Sequence, residues 1–306
     1  MNEAALLVAA TLVAGTPLAL AGLGLLVNER AGVLNLGAEG LMLVAAVSGF
    51  AVASASDNHL LAFAAGGAAA GLLAAAFGLL VIWLNTNQYA TGLAFSLFGY
   101  GFSAFVGVPY VGRKLAERAA FELPGLAQLP FVGPALLRQH PMVYVTIALA
   151  LAIVWFLYRS RAGLVLRAVG ENPESAHALG YNVRLLRLAA VVFGGLMCGL
   201  AGAFLSIVYA PLWVEGLSAG RGWIALALTT FATWRPLRVL LGAYLFGGVT
   251  MLQFQLQAQG VQIATEWLAM LPYLATVVVL ALISRNAAFV RVNMPASLGK
   301  PFHPGS

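Results

Sequence analysis

The chain has 306 residues, of which 61% are hydrophobic and only 8% are charged. Soluble domains carry about 25% charged residues, so this composition excludes a soluble globular protein and indicates a protein embedded in lipid. The formal net charge is +6, but the basic residues are scattered between apolar runs, which argues against a nucleic-acid partner. The first apolar run follows Glu3 without a basic segment before it, so no cleaved signal peptide is expected.

Long apolar runs predict the helices, because a spanning helix needs roughly 20 mostly apolar residues. Eight runs qualify, at residues 4–27, 36–54, 60–84, 90–108, 142–158, 188–208, 239–256 and 267–283. A further run at 223–234 is short, and it either crosses the membrane or forms a re-entrant helix. The predicted fold is an all-α polytopic membrane protein with eight to nine transmembrane helices, and residues 1–306 form a single transmembrane domain.

The distribution of Lys and Arg predicts the orientation of the chain. If the basic loop at 159–187 lies in the cytoplasm and the short run crosses, eleven of the sixteen Lys and Arg residues are cytoplasmic. A re-entrant short run would move Arg235 and Arg238 to the outer face, so the count favours nine crossings. We therefore expect a periplasmic N-terminus, a cytoplasmic C-terminus and a proline-rich periplasmic loop at 107–140.

A polar, glycine-rich segment at residues 28–40 interrupts the apolar pattern. Within it, Asn35 and Glu39 are four residues apart and would share one face if the segment were helical. Such a segment at membrane depth is tolerated only where it is buried in protein or lines a wet cavity. Two interpretations stay open: a broken second helix beside a translocation path, or a turn whose polar residues face the cytoplasm.

A second polar segment, at residues 85–88, joins the third and fourth apolar runs. The amides of Asn87 and Gln88 could hydrogen-bond a polar solute in the membrane. Residues of this kind also serve as ordinary caps at helix ends, so this segment leaves both roles open.

The basic loop at 159–187 contains a local helix signal. Asn172 suits the N-cap, Pro173 the first helical position and Gly180 the C′ position, and Glu174 lies in the first turn. These residues predict a two-turn helix over 173–179. Such a helix is either a solvated part of a cytoplasmic loop or an element that docks into a groove on a partner.

Motifs for catalysis are absent from the sequence. The Gly-x-x-x-x-Gly-Lys-Ser/Thr motif does not occur, because the one Gly-Lys pair, Gly299 and Lys300, is followed by Pro301. The four histidines lack metal-ligand spacing, no nucleophile elbow occurs, and no pair of carboxylates lies within an apolar run. We therefore expect a protein that is not an enzyme and binds no cofactor itself.

Four segments together resemble the permease subunits of bacterial ABC importers in the branched-chain amino acid, ribose and nucleoside group. They run in the family's order along most of the chain: 29–40 (ERAGVLNLGAEG), 167–174 (RAVGENPE) with 178–183 (ALGYNV), 199–203 (GLAGA) and 220–227 (GRGWIALA). The chain looks most like the nucleoside branch, which is associated with basic membrane lipoproteins. The resemblance implies a bacterial inner-membrane permease for nucleosides, with simple sugars and branched-chain amino acids as alternative solutes.

The resemblance also implies a complex of several chains. A separate ATPase would bind and hydrolyse ATP with Mg²⁺, and a second homologous permease would complete a heterodimer. A substrate-binding lipoprotein or periplasmic protein would deliver the solute at the outer face. Membrane lipid would surround the permease, and no nucleic acid is implied.

Particular residues acquire roles from this resemblance. It assigns contact with the ATPase to a coupling helix and its flanks, namely Gly170, Glu171, Asn172, Pro173, Ala176 and Gly180. It places Asn35 and Glu39 near the translocation path, to which we add the amides of Asn87 and Gln88 as candidate solute contacts. The chain departs from the family at 229–234 (TTFATW), where a glycine-containing aliphatic turn is usual.

An ion-coupled secondary transporter or channel is the main alternative class. Such proteins usually place ionisable residues inside their spans, and none is clearly placed inside a span of this sequence. An intramembrane enzyme is the weaker alternative, because no catalytic group of residues is recognisable. The sequence therefore favours a permease driven by an ATPase on another chain.

Overall fold

The computed structural model describes residues 3–116, 121–122, 131–259 and 293–303, together with isolated positions between 267 and 281. The α-helices in these ranges are α1 (Glu3–Arg30), α2 (Ala38–Ser56), α3 (His59–Ile82), α4 (Gln88–Gly107), α5 (Pro141–Arg159), α6 (Arg161–Glu171), α7 (Pro173–Ala178), α8 (Val183–Phe204), α9 (Arg221–Phe231) and α10 (Pro236–Ala258). A 3-10 turn at Val108–Tyr110 extends α4, and π-helical turns occupy Gly133–Leu137 and Leu205–Tyr209. Two short strands, β1 (Phe121–Glu122) and β2 (Arg138–Gln139), pair antiparallel between α4 and α5.

Seven of the described helices are long and apolar enough to span a membrane, namely α1, α2, α3, α4, α5, α8 and α10. They confirm the first seven of the eight predicted long runs, and the all-α polytopic fold is confirmed with them. The eighth run, at 267–283, falls mostly outside the described residues. The short run is α9, whose 11 residues rise only about 16 Å, against about 30 Å for the hydrocarbon core of a bilayer.

The centre of the bundle is formed by α1, α2, α3 and α8, which pack closely because small residues line their contacts. From Ala14 to Arg30 every residue of α1 is buried. A side chain at Gly199 of α8 would meet the backbone of Gly66 and Gly67 in α3, at about 2.7 Å from each. Glycines of this kind let helices in lipid approach backbone to backbone. The outer helices α4, α5 and α10 are much less buried.

The bundle has two ends, which we call the Glu3 end and the Arg30 end after the two ends of α1. The end of α10 lies beside the start of α1, since Gln255 lines a small cavity with Glu3. The segment 293–303, which we call the tail, lies at the Arg30 end, where the amide of Gly299 donates to the carbonyl of Gly32. The start of the chain and its tail therefore lie at opposite ends of the bundle.

The segment that contains α9 connects these two ends. Trp213 packs against Gly107, the last residue of α4, at the Glu3 end. At the Arg30 end, the carbonyl of Trp234 accepts two hydrogen bonds from the Arg30 side chain. The chain from 213 to 234 thus runs from the Glu3 end to the Arg30 end, although α9 alone is too short to do so. This is the path that the nine-crossing interpretation requires.

Two predicted boundaries are wrong. The break at 28–40 is narrower, because α1 continues to Arg30 and α2 begins at Ala38; Asn35 and Glu39 therefore share no helix face. The loop at 159–187 is shorter, because α8 begins at Val183 and Arg187 is buried within it. In both places the helix includes a charged residue whose hydrogen-bond partners are buried: Arg30 donates to the carbonyl of Trp234, and Arg187 donates to the carbonyl of Ala31.

Candidate functional site

The short helix α7 is built by local capping, as the sequence predicts. The Asn172 side chain accepts a hydrogen bond from the amide of Ser175 at 2.9 Å, and Pro173 occupies the first turn. At the other end Gly180 has φ +88°. Its amide donates to His177, and the amide of Tyr181 donates to Ala176. This pair of bonds is a Schellman motif, which requires the left-handed conformation that glycine adopts without strain.

The six residues assigned to the coupling region divide into two groups. Gly170, Pro173 and Ala176 are buried, and Ala176 belongs to an apolar cluster with Val169, Val183 and Phe302. Glu171, Asn172 and Gly180 are exposed. Two large side chains just after α7, Leu179 and Tyr181, are 78% and 43% exposed. The sequence did not single out these two residues, which form the surface that a partner can reach.

The base of α7 is fastened to the end of α1. A side chain at Gly170 would collide with the carbonyl of Arg30, so α6 and α1 touch backbone to backbone there. In the tail, Ser297 donates to the Gly170 carbonyl through its amide at 3.0 Å and its hydroxyl at 2.7 Å. Through this contact and the bond from Gly299 to Gly32, the tail joins α6 to the segment that follows α1.

Arg187 completes this junction. Its guanidinium donates to the carbonyls of Ala31 and Lys300 and to the hydroxyl of Ser297, at 3.0–3.1 Å. The side chain is 2% exposed, and charge-assisted hydrogen bonds of this kind are about twice as strong as neutral ones. One buried arginine on α8 thus connects the tail to the break.

The break itself, residues 31–37, is held by two of the polar residues that the sequence proposed for the translocation path. Asn35 accepts from the amide of Gly37 at 2.9 Å, and Gln88 accepts from the amide of Leu34 at 2.8 Å. Glu39 lies in the first turn of α2. Asn87 is exposed and caps its own helix, accepting from Tyr89. Asn35 and Gln88 thus both bind backbone amides of the break, and contact of Asn35, Glu39, Asn87 or Gln88 with a solute stays a prediction.

Glu39 is completely buried and binds the start of α9. One carboxylate oxygen accepts from the Ser218 hydroxyl at 2.5 Å, the Gly220 amide at 2.8 Å and the Tyr100 hydroxyl at 3.2 Å. The other accepts from the Gly222 amide at 2.6 Å. The first amides of a helix have no acceptor within the helix, and its N-terminus carries a partial positive charge. The Glu39 carboxylate stabilises the N-terminus of α9 because it accepts these hydrogen bonds and has the opposite charge.

Glu29 binds the other end of α9. Its carboxylate accepts from the Thr229 hydroxyl at 2.8 Å and from the Trp234 indole, and it is 1% exposed. Thr233 and Trp234 both have φ near +50°. These contacts fall within the 229–234 segment that departs from the family pattern, so the departure supplies donors to a buried carboxylate. Glu29 and Glu39 thus lie in the last turn of α1 and the first turn of α2, two helices of spanning length, and both carboxylates are buried.

Comparisons with known proteins agree with these features. Residues 7–282 match the family model described as the permease component of the branched-chain amino acid transport system. The chain belongs to this permease family. It is 42% identical to a putative glucose ABC transporter permease of Haloferax volcanii, with 97% of each chain covered. It is 31% identical to a guanosine ABC transporter permease of Bacillus subtilis, with 98% of this chain and 97% of the relative covered. No solved structure gives a significant match.

Membership of the family confirms the predicted function at the level of the subunit. This permease is a multi-pass membrane component of an ABC importer and not an enzyme. ATP hydrolysis belongs to a separate subunit, and the family implies an ATPase and a substrate-binding protein as partners. The importer must therefore transmit force into this chain from outside, which directs attention to α7 and the junction beneath it.

Proposed function

We propose that this permease forms one half of a membrane pore and that α7 is the element through which the ATPase drives it. The observation that supports this most directly is the connection of an exposed, rigidly capped helix to the break between α1 and α2. Leu179 and Tyr181 offer apolar surface for a partner, while Pro173 and Ala176 of α7 are buried. A push on α7 therefore acts on a firm support and not on a flexible loop.

The force would travel from α7 through three contacts. The first is the backbone contact of Gly170 with Arg30, and the second is the pair of bonds from Ser297 to Gly170. The third is Arg187, which binds both the tail and the carbonyl of Ala31. Packed interiors transmit strain because they are nearly incompressible. Movement of α7 would therefore displace the start of the break.

The break and α9 would respond as a unit. Glu29 precedes the break and binds the end of α9, and Glu39 follows the break and binds the start of α9. In this proposal Asn35, Glu39 and Gln88 position the pore elements, and their part in translocation is to hold the break while the path opens. Asn87 caps the start of α4, and in this proposal it helps to hold that helix beside the break.

Orientation and assembly follow from the same scheme. The Arg30 end carries α7 and most of the basic residues, and we assign it to the cytoplasm, with the N-terminus outside. A second, homologous permease would complete a heterodimeric pore in a prokaryotic cell membrane, and a substrate-binding protein would deliver the solute. ATP and Mg²⁺ would be used by the ATPase alone.

The solute we propose is a small, neutral, hydroxyl-rich molecule, with a nucleoside as the first candidate. Relatives named for guanosine and nucleosides support it. A relative at 42% identity named for glucose supports a hexose as the second candidate. Thermal shift of the substrate-binding protein encoded beside this chain, measured with guanosine, adenosine, glucose and leucine, distinguishes these solutes. Stabilisation by leucine alone would refute both candidates.

The role of α7 is tested by co-purification of the permease with its ATPase. Leu179→Ala combined with Tyr181→Ala removes exposed apolar surface without touching the buried contacts. We expect association with the ATPase to weaken at least tenfold and ATP-dependent uptake to fall with it. Leu84→Ala is the control, since Leu84 is 68% exposed beyond the end of α3, at the Arg30 end. Equal association of all three proteins would remove the docking role.

A further inference from the structure

A cavity of about 770 Å³ opens at the Arg30 end, between the end of α5, α6 and the start of α10. Four arginines line it, namely Arg30, Arg167, Arg235 and Arg238. Glu171 is the one carboxylate among the lining residues. Four positive charges against one negative charge make the cavity strongly electropositive. Neither the proposed coupling through α7 nor the binding of Glu29 and Glu39 to α9 requires this charge.

The arginines at this cavity are held in place. The Arg30 side chain is fixed by three bonds, two to the carbonyl of Trp234 and one to the carbonyl of Asn293. Arg167 lies over the ring of Tyr158, with 5.2 Å between its guanidinium carbon and the ring centroid. Stacking of this kind orders a guanidinium without using its hydrogen-bond donors. The site is therefore preorganised for an acceptor.

One donor at this site lacks an acceptor. The Nε of Arg167 is buried, and no group among the described residues accepts its hydrogen bond. The nearby carboxylate of Glu171 does not accept a hydrogen bond from this Nε. It accepts one from the amide of Ala296 in the tail, at 3.4 Å. A buried donor without a partner costs about 1–3 kcal/mol. A bound anion with several oxygens would satisfy it together with neighbouring guanidinium groups.

The remaining wall of the cavity is apolar and open. Val154, Leu164, Pro236 and Leu237 line it, and Leu164 and Leu237 are 60% and 46% exposed. The cavity also lies where α1 and α5 end and α10 begins, so it sits at the level where spanning helices leave the hydrocarbon. A soluble anion needs no apolar wall, whereas an anionic lipid needs a basic pocket for its phosphate and an apolar surface for its chains.

We propose that this cavity binds the headgroup of an anionic phospholipid, with the phosphodiester on Arg167 and its neighbours and an acyl chain along Leu164 and Leu237. Basic pockets between transmembrane helices on the cytoplasmic side are suited to such headgroups. Because Arg30 and Glu171 also belong to the junction beneath α7, a lipid here would stabilise that junction. The inference is independent of which solute the permease carries.

The test uses the full-length permease in detergent, depleted of lipid, with phosphatidylglycerol and phosphatidylcholine of identical acyl chains as probes. Native mass spectrometry measures the affinity of each lipid. Thermal unfolding with a thiol-reactive dye that detects the buried Cys198 measures stabilisation. We expect phosphatidylglycerol to bind more tightly than phosphatidylcholine, and Arg167→Gln to weaken only phosphatidylglycerol, by about tenfold, which corresponds to about 1.4 kcal/mol.

Arg161→Gln is the matched control, because Arg161 is an exposed arginine on the same helix that does not line the cavity. Arg235→Gln is a second test variant in case Arg167→Gln unfolds. Equal affinity for both lipids, or equal losses in Arg161→Gln and Arg167→Gln, would overturn the proposal. Stabilisation by inorganic phosphate alone, as large as by the lipid, would indicate a soluble-anion site instead. Loss of ATPase binding in Arg167→Gln without lipid would show that the cavity serves the ATPase.

Discussion

Replacement of Glu39 by glutamine tests whether a buried carboxylate holds the start of α9. The side chain is 0% exposed, and its two oxygens accept four hydrogen bonds from α4, α9 and the segment before α9. Glutamine has nearly the same shape and removes one acceptor oxygen together with the negative charge. The change therefore isolates the chemistry of the contact from its packing.

The expected loss of stability can be worked out from these bonds. If the amide nitrogen takes the place of the oxygen that faces Gly222, the buried amide of Gly222 loses its acceptor, which costs about 1–3 kcal/mol. Removal of the charge at the start of α9 costs roughly a further 0.3–1 kcal/mol. The opposite amide orientation is worse, because three donors face the nitrogen. Glu39→Gln should thus destabilise the permease by about 1.3–4 kcal/mol. At roughly 2–4 °C per kcal/mol for a chain of this size, the melting temperature should fall by about 3–16 °C.

The assay is thermal unfolding in detergent, read by dye modification of Cys198, which is 0% exposed in the folded protein. Glu215→Gln is the control, since Glu215 is exposed in the loop that leads to α9. It removes the same charge without a buried partner, and its melting temperature should match that of the wild type. If Glu39→Gln melts with the wild type as well, the carboxylate makes no net contribution to stability, and its role in holding the start of α9 is refuted.

Three further predictions concern α7, its base and the start of α5. Asn172→Ala should cost about 1 kcal/mol at the N-cap and weaken co-purification with the ATPase several-fold; Asn172→Asp keeps the acceptor and should retain binding, so equal losses would contradict the role of the cap. Gly170→Ala should lower the melting temperature by several degrees because a Cβ would collide with the Arg30 carbonyl, whereas Gly101→Ala, which meets nothing within 4 Å, should be neutral. Burial, with the nearby His59, lowers the pKa of His140 from 6.5 to about 4. The folded state therefore prefers the neutral ring, and this contribution to stability is complete above pH 6.5 and is lost as the pH falls towards 4. His140→Asn should flatten that slope in tryptophan-fluorescence melting curves, and an unchanged slope would exclude His140 as its source.

Local signals in the sequence predicted the features that depend on near neighbours. Apolar runs of spanning length are a property of consecutive residues, so seven helices could be predicted from hydropathy alone. The caps of α7 are also local: Asn172, Pro173 and Gly180 lie within nine residues and predicted the helix to within one residue of its observed end. The shared requirement is that the partners lie within a turn or two of each other.

Contacts between distant residues could not be predicted in this way. Glu29 and Trp234 are 205 positions apart, and Arg187 and Ser297 are 110 apart. A charged residue at the end of an apolar run has the same local pattern whether it faces water or a buried partner. The sequence therefore left the surroundings of the 28–40 segment open and placed Arg187 in the basic loop at 159–187. Only the packed structure supplies the donors and acceptors that make the burial of Glu29 and Arg187 favourable.

In the proposed scheme, Glu29 and Glu39 determine how a movement of α7 would reach α9. Each binds one end of α9, and the break that separates them is joined to α7 through the tail. Hydrogen bonds to charged groups contribute about 1.5–3 kcal/mol each, and these contributions are kept only if α9 moves together with the break. If α7 receives the ATPase as proposed, α9 and the break therefore shift as one body. The departure at 229–234 then has a purpose in this chain, because Thr229 and Trp234 fasten the end of that body to α1.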